Sequence, residues 1–308
     1  MILIKNIDEI YTMTKENNII EDGYIIIKDE QIIDIGTTQN LNNNIEEKQN
    51  KFEKIIDGSN TMALPGLINT HTHSAMTLLR GYADDLPLKT WLEDKIWPIE
   101  NKLNKKDIYW GSLFAIMEMI KTGTTTFMDM YFQMDEVGKA VKKSGIRAVL
   151  SETLIENNDG LEGLTKAKTF SKKWNNNANG RITTMLAPHA PYTCSPNYIE
   201  KITDISLELD LPVAIHLAET KTEIETISNK YNSSPVELLN EIGLLERPLL
   251  AAHAVHVNDN DIQIMKEKNI NIAYNPMSNM KLGSGIAPIS KMLKKGIKEY
   301  LNQLNSKK

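Results

Sequence analysis

The residues of this chain best suited to chemistry are its six histidines: His71, His73, His189, His216, His253 and His256. The first 70 residues and the last 52 contain none. Five of the six lie at or just beyond the predicted carboxyl end of a β-strand. In a parallel barrel that end carries the active site, so the placement predicts one site assembled from several strands.

The clearest pair lies in the segment "LINTHTHSAM", where His71 and His73 are separated by one residue. On an extended strand such residues point to the same side. Two imidazoles that converge from one strand suit a divalent transition metal. Ordinary loop histidines also show this spacing, but the preceding run "LPGLIN" and the other histidines favour a metal site.

A third imidazole, His216 in "PVAIHLAET", ends another predicted strand and would complete three histidine ligands with an open position for water. Glu219 follows three residues later, and a carboxyl beside metal-activated water can act as a general acid or base. In a continuing strand Glu219 would point away from His216, so we predict a turn between them. The alternatives are a packed core histidine and a solvated loop glutamate.

Three further residues are weaker candidates. In "LLAAHAVHV", His253 ends the apolar run and should reach the barrel mouth, whereas His256 is predicted to be structural or to face outward. His189 in "MLAPHAPYTCSP" follows another strand in a loop stiffened by prolines, and it either faces substrate or packs the loop. Cys194, the only cysteine, has no assignable base and is predicted to be buried and inert.

After residue 60, short apolar runs alternate with amphipathic helical stretches. The predicted strands are Leu67–His71, Thr124–Asp129, Arg147–Ser151, Ile182–Ala187, Pro212–Leu217, Leu249–His253 and Ile270–Asn275. This alternation implies parallel βα units. Seven strands in about 240 residues favour an α/β fold of the (β/α)8 TIM type. The alternative is an open doubly wound sheet, but no Gly-x-Gly-x-x-Gly turn supports it.

The first sixty residues are predicted to form strands, with a hairpin that turns at Lys28 to Gln31 in "GYIIIKDEQIIDIG". An Asn-rich stretch, Asn40 to Asn50, is predicted to be an exposed loop. Helix N-caps are predicted at Asn104, Ser195 and Ser234, the last two each followed by a proline at the first helical position.

Composition limits the function class. The chain has 308 residues, 41% of them hydrophobic, which is enough for a large core. Its formal net charge of −5 and the lack of a basic run exclude a nucleic-acid surface. No segment approaches the ~20 apolar residues of a membrane span, and "MILIKNIDEIYTM" lacks a signal-peptide pattern. One cysteine excludes an internal disulfide, so we expect a cytoplasmic protein with no nucleic-acid or membrane partner.

Longer motifs resemble a known family. The segment "LPGLINTHTHSAMTLLRGYADDLPLKTWLEDKIWPIE" resembles the amidohydrolase superfamily, and more closely its 5-methylthioadenosine/S-adenosylhomocysteine deaminase branch, a neighbour of the triazine hydrolases. The motifs "GTTTFMDMY", "LAPHAPYTCSP", "AIHLAET", "LLAAHAVHV" and "YNPMSNMKLGSG" extend the resemblance in order. It covers nearly the whole chain, from the N-terminal strands to the region of Gly296.

The resemblance implies a role for each matching residue. It implies three metal ligands: His71, His73 and His216. Glu219 would shuttle a proton to the purine ring nitrogen, and His253 would orient or polarise the attacking water. Glu100, in "WPIE", would hold the ribose hydroxyls, and His189 would contact the substrate. The assignment of Glu100 rests on the resemblance alone.

The implied reaction is hydrolytic deamination of an adenosine-type nucleoside, with one divalent metal ion as cofactor: zinc, or iron as the alternative. Such an ion lowers the pKa of water toward ~7. Hydroxide would attack the amino-bearing carbon while Glu219 protonates the adjacent nitrogen. Cysteine-ligated zinc deaminases need a Cys-x-x-Cys pair, which this chain lacks. The alternatives are a relative that acts on guanine, cytosine or a chlorinated ring, and an inactive fragment that still binds metal.

Two stretches depart from the family pattern. Where the branch places an arginine after the serine that ends the third barrel strand, this chain has Ser151-Glu152, which disfavours a carboxylate tail on the substrate. After "APISKMLKKGI" the family continues into an eighth strand that ends in Gly-Thr-Asp-Gly, whose aspartate is a metal ligand. Here "KEYLNQLNSKK" follows, with Glu299 in a helical pattern. We expect a truncated or frameshifted barrel that lacks its eighth strand and loses roughly 10²–10⁴ in rate.

The expected domain organisation has three parts. Residues 1–60 would form part of a small N-terminal β-sandwich, 61–296 an incomplete metal-dependent hydrolase barrel, and 297–308 a divergent tail. A barrel that lacks one strand exposes two unpaired edges and part of its core, which favours association into a homo-oligomer. The expected partner is a small-molecule nucleoside substrate.

Overall fold

A computed structural model describes residues 1–14, 18–45, 52–297 and 299–301 of the protein. The chain divides into two compact units, Met1–Gly66 and Leu67–Lys308. Each unit has its own buried apolar clusters.

The first unit is a five-stranded sheet with one helix. Its elements are β1 (Ile2–Tyr11), β2 (Ile19–Lys28), β3 (Gln31–Thr37), α1 (Thr38–Ile45), β4 (Lys54–Asp57) and β5 (Met62–Ala63). The strands lie in the order β3-β2-β1-β4, with β5 also paired to β1. Lys28 pairs with Gln31, which confirms the predicted hairpin.

The predicted loop over Asn40–Asn50 is wrong in its first part, where α1 is helical through Ile45. The helix forms because Leu41, which is 4% exposed, packs with Leu3 and Tyr24 of the sheet. Residues 46–50 of the predicted loop lie outside the described residues.

The second unit is a parallel barrel. Its strands are β6 (Leu67–Thr72), β7 (Thr124–Tyr131), β8 (Arg147–Leu154), β9 (Ile182–Thr184), β10 (Ala187–Pro188), β11 (Val213–Leu217), β12 (Leu249–His253), β13 (Asn271–Tyr274) and β14 (Glu299–Leu301). β9 and β10 share the fourth position, since both pair with β8, and Leu186 bridges to Val213 at the start of β11. In the described part of the unit, all pairings between these strands are parallel, and the TIM-type α/β architecture is confirmed.

Helices connect successive strands. They are α2 (Leu88–Thr90), α3 (Trp97–Glu100), α4 (Lys105–Lys121), α5 (Met134–Ser144), α6 (Glu156–Trp174), α7 (Asn177–Gly180), α8 (Pro196–Leu209), α9 (Lys221–Tyr231), α10 (Pro235–Glu241), α11 (Asp259–Glu267), α12 (Pro276–Lys281) and α13 (Ile289–Lys295). The predicted N-caps at Asn104, Ser195 and Ser234 are confirmed, because each side chain accepts a backbone N–H of the first turn. In the described part of the chain, no helix is both long and apolar enough to cross a bilayer.

The eighth position of the barrel corrects one expectation. We expected no eighth strand and a helical Glu299, but Glu299–Leu301 is a short strand, β14, parallel to β13. Its Cα atoms also come within 8 Å of those of β6, the first strand of the barrel. β14 therefore lies between the last and the first of the other strands. The segment becomes extended because the free edge of β13 offers unpaired backbone groups that a parallel neighbour satisfies.

The core of the barrel unit places apolar side chains between the strands and the surrounding helices. One cluster centres on β11 to β13 and includes Ile215, Ala251 and Ile272, and another packs Phe127 of β7 against α4 and α5. Because neighbouring strands are parallel, their carboxyl ends all open at one rim, where the histidines lie.

The cap of α4 gives a test of how the sequence fixes this packing. Asn104 accepts from the N–H groups of Lys106 and Asp107, while Asp107 accepts from the N–H of Asn104. Replacing Asn104 with alanine removes the cap, and we expect a loss of about 1 kcal/mol in the free energy of unfolding, measured by denaturant titration. The matched change at the exposed neighbour Asn101 should alter stability by less than about half of that. Equal effects at the two positions would contradict the assignment.

Candidate metal centre and its cleft

Two histidines of the site come from the end of β6. His73 follows the strand, and its Nδ1 lies 2.5 Å from the carbonyl oxygen of Met130 on β7. His216, at the end of β11, holds its Nδ1 2.7 Å from the carbonyl oxygen of His189. Because a carbonyl only accepts, both Nδ1 atoms must carry the ring proton, and both Nε2 atoms present lone pairs.

These lone pairs converge. The Nε2 atom of His216 lies 3.4 Å from that of His73 and 3.2 Å from that of His71. The Nε2 atoms of His73 and His216, as two acceptors 3.4 Å apart, repel each other unless a cation lies between them. A tetrahedral ion with metal–nitrogen bonds of 2.0–2.1 Å would hold its nitrogens about 3.4 Å apart. The residues therefore fit a divalent metal of the zinc type.

His253 joins the cluster from the end of β12. His71, His216 and His253 each offer a ligand atom, and these atoms lie within 4.8 Å of one another. The Nδ1 of His253 lies 2.7 Å from Oδ1 of Asn279 and 3.5 Å from Oε1 of Glu219. The structure thus brings together four of the five histidines that the sequence placed at strand ends, and the fifth, His189, lies beside them with its ring centroid 4.9 Å from that of His216.

The turn predicted between His216 and Glu219 is present. β11 ends at Leu217, and Ala218 then adopts a left-handed conformation with φ of +50°. This reverses the direction of the following side chain, so Glu219 faces the cluster and accepts a hydrogen bond from Oγ of Ser284 at 3.2 Å. Glu219 is 7% exposed, which removes the solvated-loop alternative for this residue.

Strained backbone also shapes the neighbouring strand end. His253 and Ala254 have φ of +77° and +47°, a region that residues other than glycine rarely occupy. The Ala254 N–H donates to the carbonyl of Leu217 at 3.0 Å, and the His256 N–H donates to that of Ala218 at 2.8 Å. The two turns that present Glu219 and His253 are therefore hydrogen-bonded to each other.

A buried carboxylate that sequence reasoning missed supports the β6 histidines. Asp129 of β7 is fully buried and accepts from the Ser74 N–H at 2.7 Å, from Ser74 Oγ at 2.6 Å and from Thr72 Oγ1 at 2.7 Å. Burial raises its pKa to about 6, against the lowering effect of these donors. The motif "GTTTFMDMY" contained this aspartate, but only the fold brings it beside the residues that flank His73.

A cleft opens from the histidines toward solvent, and the space between its walls, open solvent included, is about 630 Å³. Its apolar and aromatic walls include Met76, Leu88, Trp91, Leu92, Ile96, Trp97, Tyr131, Phe132, Tyr192 and Leu282. Glu100 lines it and accepts a hydrogen bond from the Tyr131 hydroxyl at 2.5 Å. His189 lines it too, held by Thr193 at 3.0 Å, and burial lowers the pKa of its imidazole.

Three other residues that the sequence singled out make structural contacts and do not face the histidine cluster. The Nε2 of His256 bonds to the carbonyl of Ser284 at 2.7 Å. Cys194 is buried, its thiol donates to the carbonyl of Leu154, and burial raises the pKa of that thiol. Glu152 accepts from the N–H groups of Gln133 and Met134 at the start of α5, pairs with Lys166 and does not line the cleft.

Comparison with known proteins places this geometry among hydrolases. The amidohydrolase family profile matches residues 62–301. A protein of Halothermothrix orenii named 5-methylthioadenosine/S-adenosylhomocysteine deaminase is 56% identical over 96% of this chain, which spans 68% of that relative. A zinc-bound adenosine deaminase structure from Xanthomonas campestris, 29% identical, superposes with a TM-score of 0.86 over 99% of this chain and 71% of its own. A guanine deaminase from C. acetobutylicum with bound guanine, 26% identical, gives 0.87 over 99% and 74%.

The support from Asp129 can be tested through metal affinity. In the variant Asp129→Asn the amide nitrogen cannot accept from Ser74, so the segment from Thr72 to Ser74 loses part of its anchor. Changes in such outer partners typically weaken metal binding by about 10–100-fold. Zinc competition against a chromophoric chelator measures the effect. Asp135→Asn, at an exposed ion pair with Lys173, is the control and should bind zinc as the wild type does. Unchanged affinity in Asp129→Asn would refute the role.

Proposed function

Because this chain belongs to the amidohydrolase family, we propose that its cleft deaminates an adenosine-type nucleoside by metal-dependent hydrolysis, yielding the inosine-type product and ammonia. One observation carries the proposal: Glu219 and His253 face a cluster of converging imidazole nitrogens at the end of a cleft with aromatic walls. The names of the deaminase relatives support the substrate class.

We propose that the ligands of one divalent ion come from His71, His73 and His216, with His253 beside them. Zinc is the favoured ion, with iron as the alternative, since imidazole suits both and a neighbouring deaminase structure holds zinc. When bound, the ion would supply the Lewis acidity that makes water nucleophilic near neutral pH.

Glu219 is the proposed proton carrier. Its Oε1 lies 3.5 Å from Nδ1 of His253 and accepts from Oγ of Ser284, which holds the carboxylate beside the histidine cluster, where it could take a proton from attacking water. It would then deliver that proton to the ring nitrogen beside the amino-bearing carbon. His253, fixed by Asn279, would orient the water by hydrogen bonding.

The cleft suits a nucleoside with an apolar tail. Aromatic side chains such as Trp97 and Tyr192 offer faces for a purine, and Glu100, oriented by Tyr131, would accept from ribose hydroxyls. Among the described residues, no lysine or arginine lines this cleft. We therefore propose a methylthio nucleoside as the better substrate, and one with a charged amino-acid tail as the poorer.

Two coarser properties are proposed on other grounds. The single cysteine favours a reducing, cytoplasmic location. Self-association is proposed from the sequence, and sedimentation velocity of the purified chain would test it.

The main test is turnover of 5-methylthioadenosine by zinc-loaded protein, followed by ammonia release and by the absorbance change from adenine to hypoxanthine. We expect turnover in the wild type and a decrease of about 10²–10⁴ in kcat in Glu219→Gln, because that variant cannot carry the proton. Glu225→Gln, an exposed change on the same helix α9, is the control and should retain wild-type kcat. Absence of turnover by folded, zinc-bound wild type would exclude the proposed function.

The role of Glu100 is tested by comparing substrates. Glu100→Gln removes the charged acceptor for ribose, so we expect KM for the nucleoside to rise by about tenfold or more, the worth of a charge-assisted hydrogen bond. Weak turnover of free adenine should be unaffected, because the base has no ribose. Glu93→Gln, at an exposed position in the helical segment Trp91–Ile96 that precedes α3, is the control. An equal effect on nucleoside and base would contradict the role.

A further inference from the structure

A second glutamate, Glu223, accepts hydrogen bonds from the backbone of the turn that presents Glu219. Glu223 lies in the first turn of α9 and is 2% exposed. Its Oε1 accepts from the Ala218 N–H at 2.8 Å, and its Oε2 accepts from the Glu219 N–H at 2.9 Å. One carboxylate thus holds the two consecutive backbone N–H groups of the turn.

This contact goes beyond ordinary helix capping. The cap of α9 is Thr220, whose Oγ1 accepts from the Glu223 N–H at 3.2 Å. A glutamate at this position usually bonds back to the cap residue, as Glu237 of α10 does when it accepts from the Ser234 N–H at 2.7 Å. Glu223 instead reaches the two residues that precede the cap.

Ala218 is held from its other side as well. Its carbonyl accepts from the N–H groups of Val255 at 3.0 Å and His256 at 2.8 Å. The left-handed conformation of Ala218 is unfavourable for a residue with a β-carbon, so it persists only where such contacts fix it. Without the carboxylate of Glu223, the N–H side of the turn would lose both of these acceptors.

We propose that Glu223 is a positioning residue that acts through Glu219: by holding the Ala218–Glu219 backbone it keeps the Glu219 carboxylate facing His253. The inference rests on the proposed function only for the consequence in kcat. The hold on the backbone is a property of the structure that can be measured without turnover. Burial acts to raise the pKa of Glu223, and the two N–H donors act to lower it by favouring the ionised carboxylate.

The first experiment measures amide hydrogen exchange in the full chain. In Glu223→Gln only one side-chain oxygen can accept, and the amide nitrogen faces an N–H donor. We expect exchange at Ala218 and Glu219 to accelerate by about tenfold or more, the loss of one protecting hydrogen bond. Glu237→Gln is the matched control: it removes the helix-capping glutamate of α10 and should leave these two amides unchanged. Unchanged exchange in Glu223→Gln overturns the proposal.

The second experiment is a double-mutant cycle in zinc-loaded protein. Misplacing a reacting group by about 1 Å can cost 10²-fold, so we expect kcat of Glu223→Gln to fall by about 10–100-fold while KM stays within about twofold. If Glu223 acts through Glu219, the double variant Glu219→Gln/Glu223→Gln should be no slower than Glu219→Gln alone. Additive losses, or a rise in KM at unchanged kcat, overturn the proposal.

A further variant covers loss of folding. If Glu223→Gln does not fold, Glu223→Asp keeps the charge on a shorter stem and should show smaller changes of the same kind in exchange and kcat. If the wild type exchanges slowly at these amides but shows no turnover, the proposed function fails. The exchange rates of Glu223→Gln then decide by themselves whether Glu223 holds the Ala218–Glu219 backbone.

Discussion

The candidate metal centre depends on imidazole rings that are oriented by hydrogen bonds from neighbouring strands. The Nδ1–H of His73, at the end of β6, donates to a carbonyl on β7. The Nδ1–H of His216, on β11, donates to the carbonyl of His189, which follows β10. Each ring is therefore oriented by the strand next to its own, and its free lone pair is directed toward the centre of the mouth. Such an arrangement requires parallel strands in fixed register, because a shift of one residue would turn each ring to the other face.

Strain at the rim is tolerated because two turns brace each other. Ala218, His253 and Ala254 all have positive φ, and each would be costly in an isolated loop. The carbonyls of Leu217 and Ala218 accept from the backbone after β12, so neither turn can relax without breaking bonds to the other. Glu223 also accepts hydrogen bonds from the N–H groups of Ala218 and Glu219. Glu219, the proposed proton carrier, and its neighbour His253 are thus fixed by backbone hydrogen bonds and not by side-chain packing alone.

The sequence predicts this fold well where local pattern decides. Short β-branched apolar runs bounded by helix caps locate β6 to β13 to within a few residues, and histidines at the ends of those runs locate the rim. Pattern fails where a distant partner decides. β14 has no β-branched residue and becomes a strand by pairing with β13, and α1 forms where Leu41 reaches the sheet. Asp129 and Glu223 act on backbone N–H groups that a sequence does not place beside them.

The carboxylates that line the cleft determine which groups can transfer protons there. Glu100 and Glu219 are the carboxylates that line it in the described part of the chain, and Glu100 is engaged by the hydroxyl of Tyr131. Hydrolytic deamination needs one proton moved from water to the ring nitrogen and a second moved from the new hydroxyl to the amino group, which leaves as ammonia when the C–N bond breaks. In the proposed reaction both transfers pass through Glu219, supported by His253, so the rate should depend on how firmly that carboxylate is held.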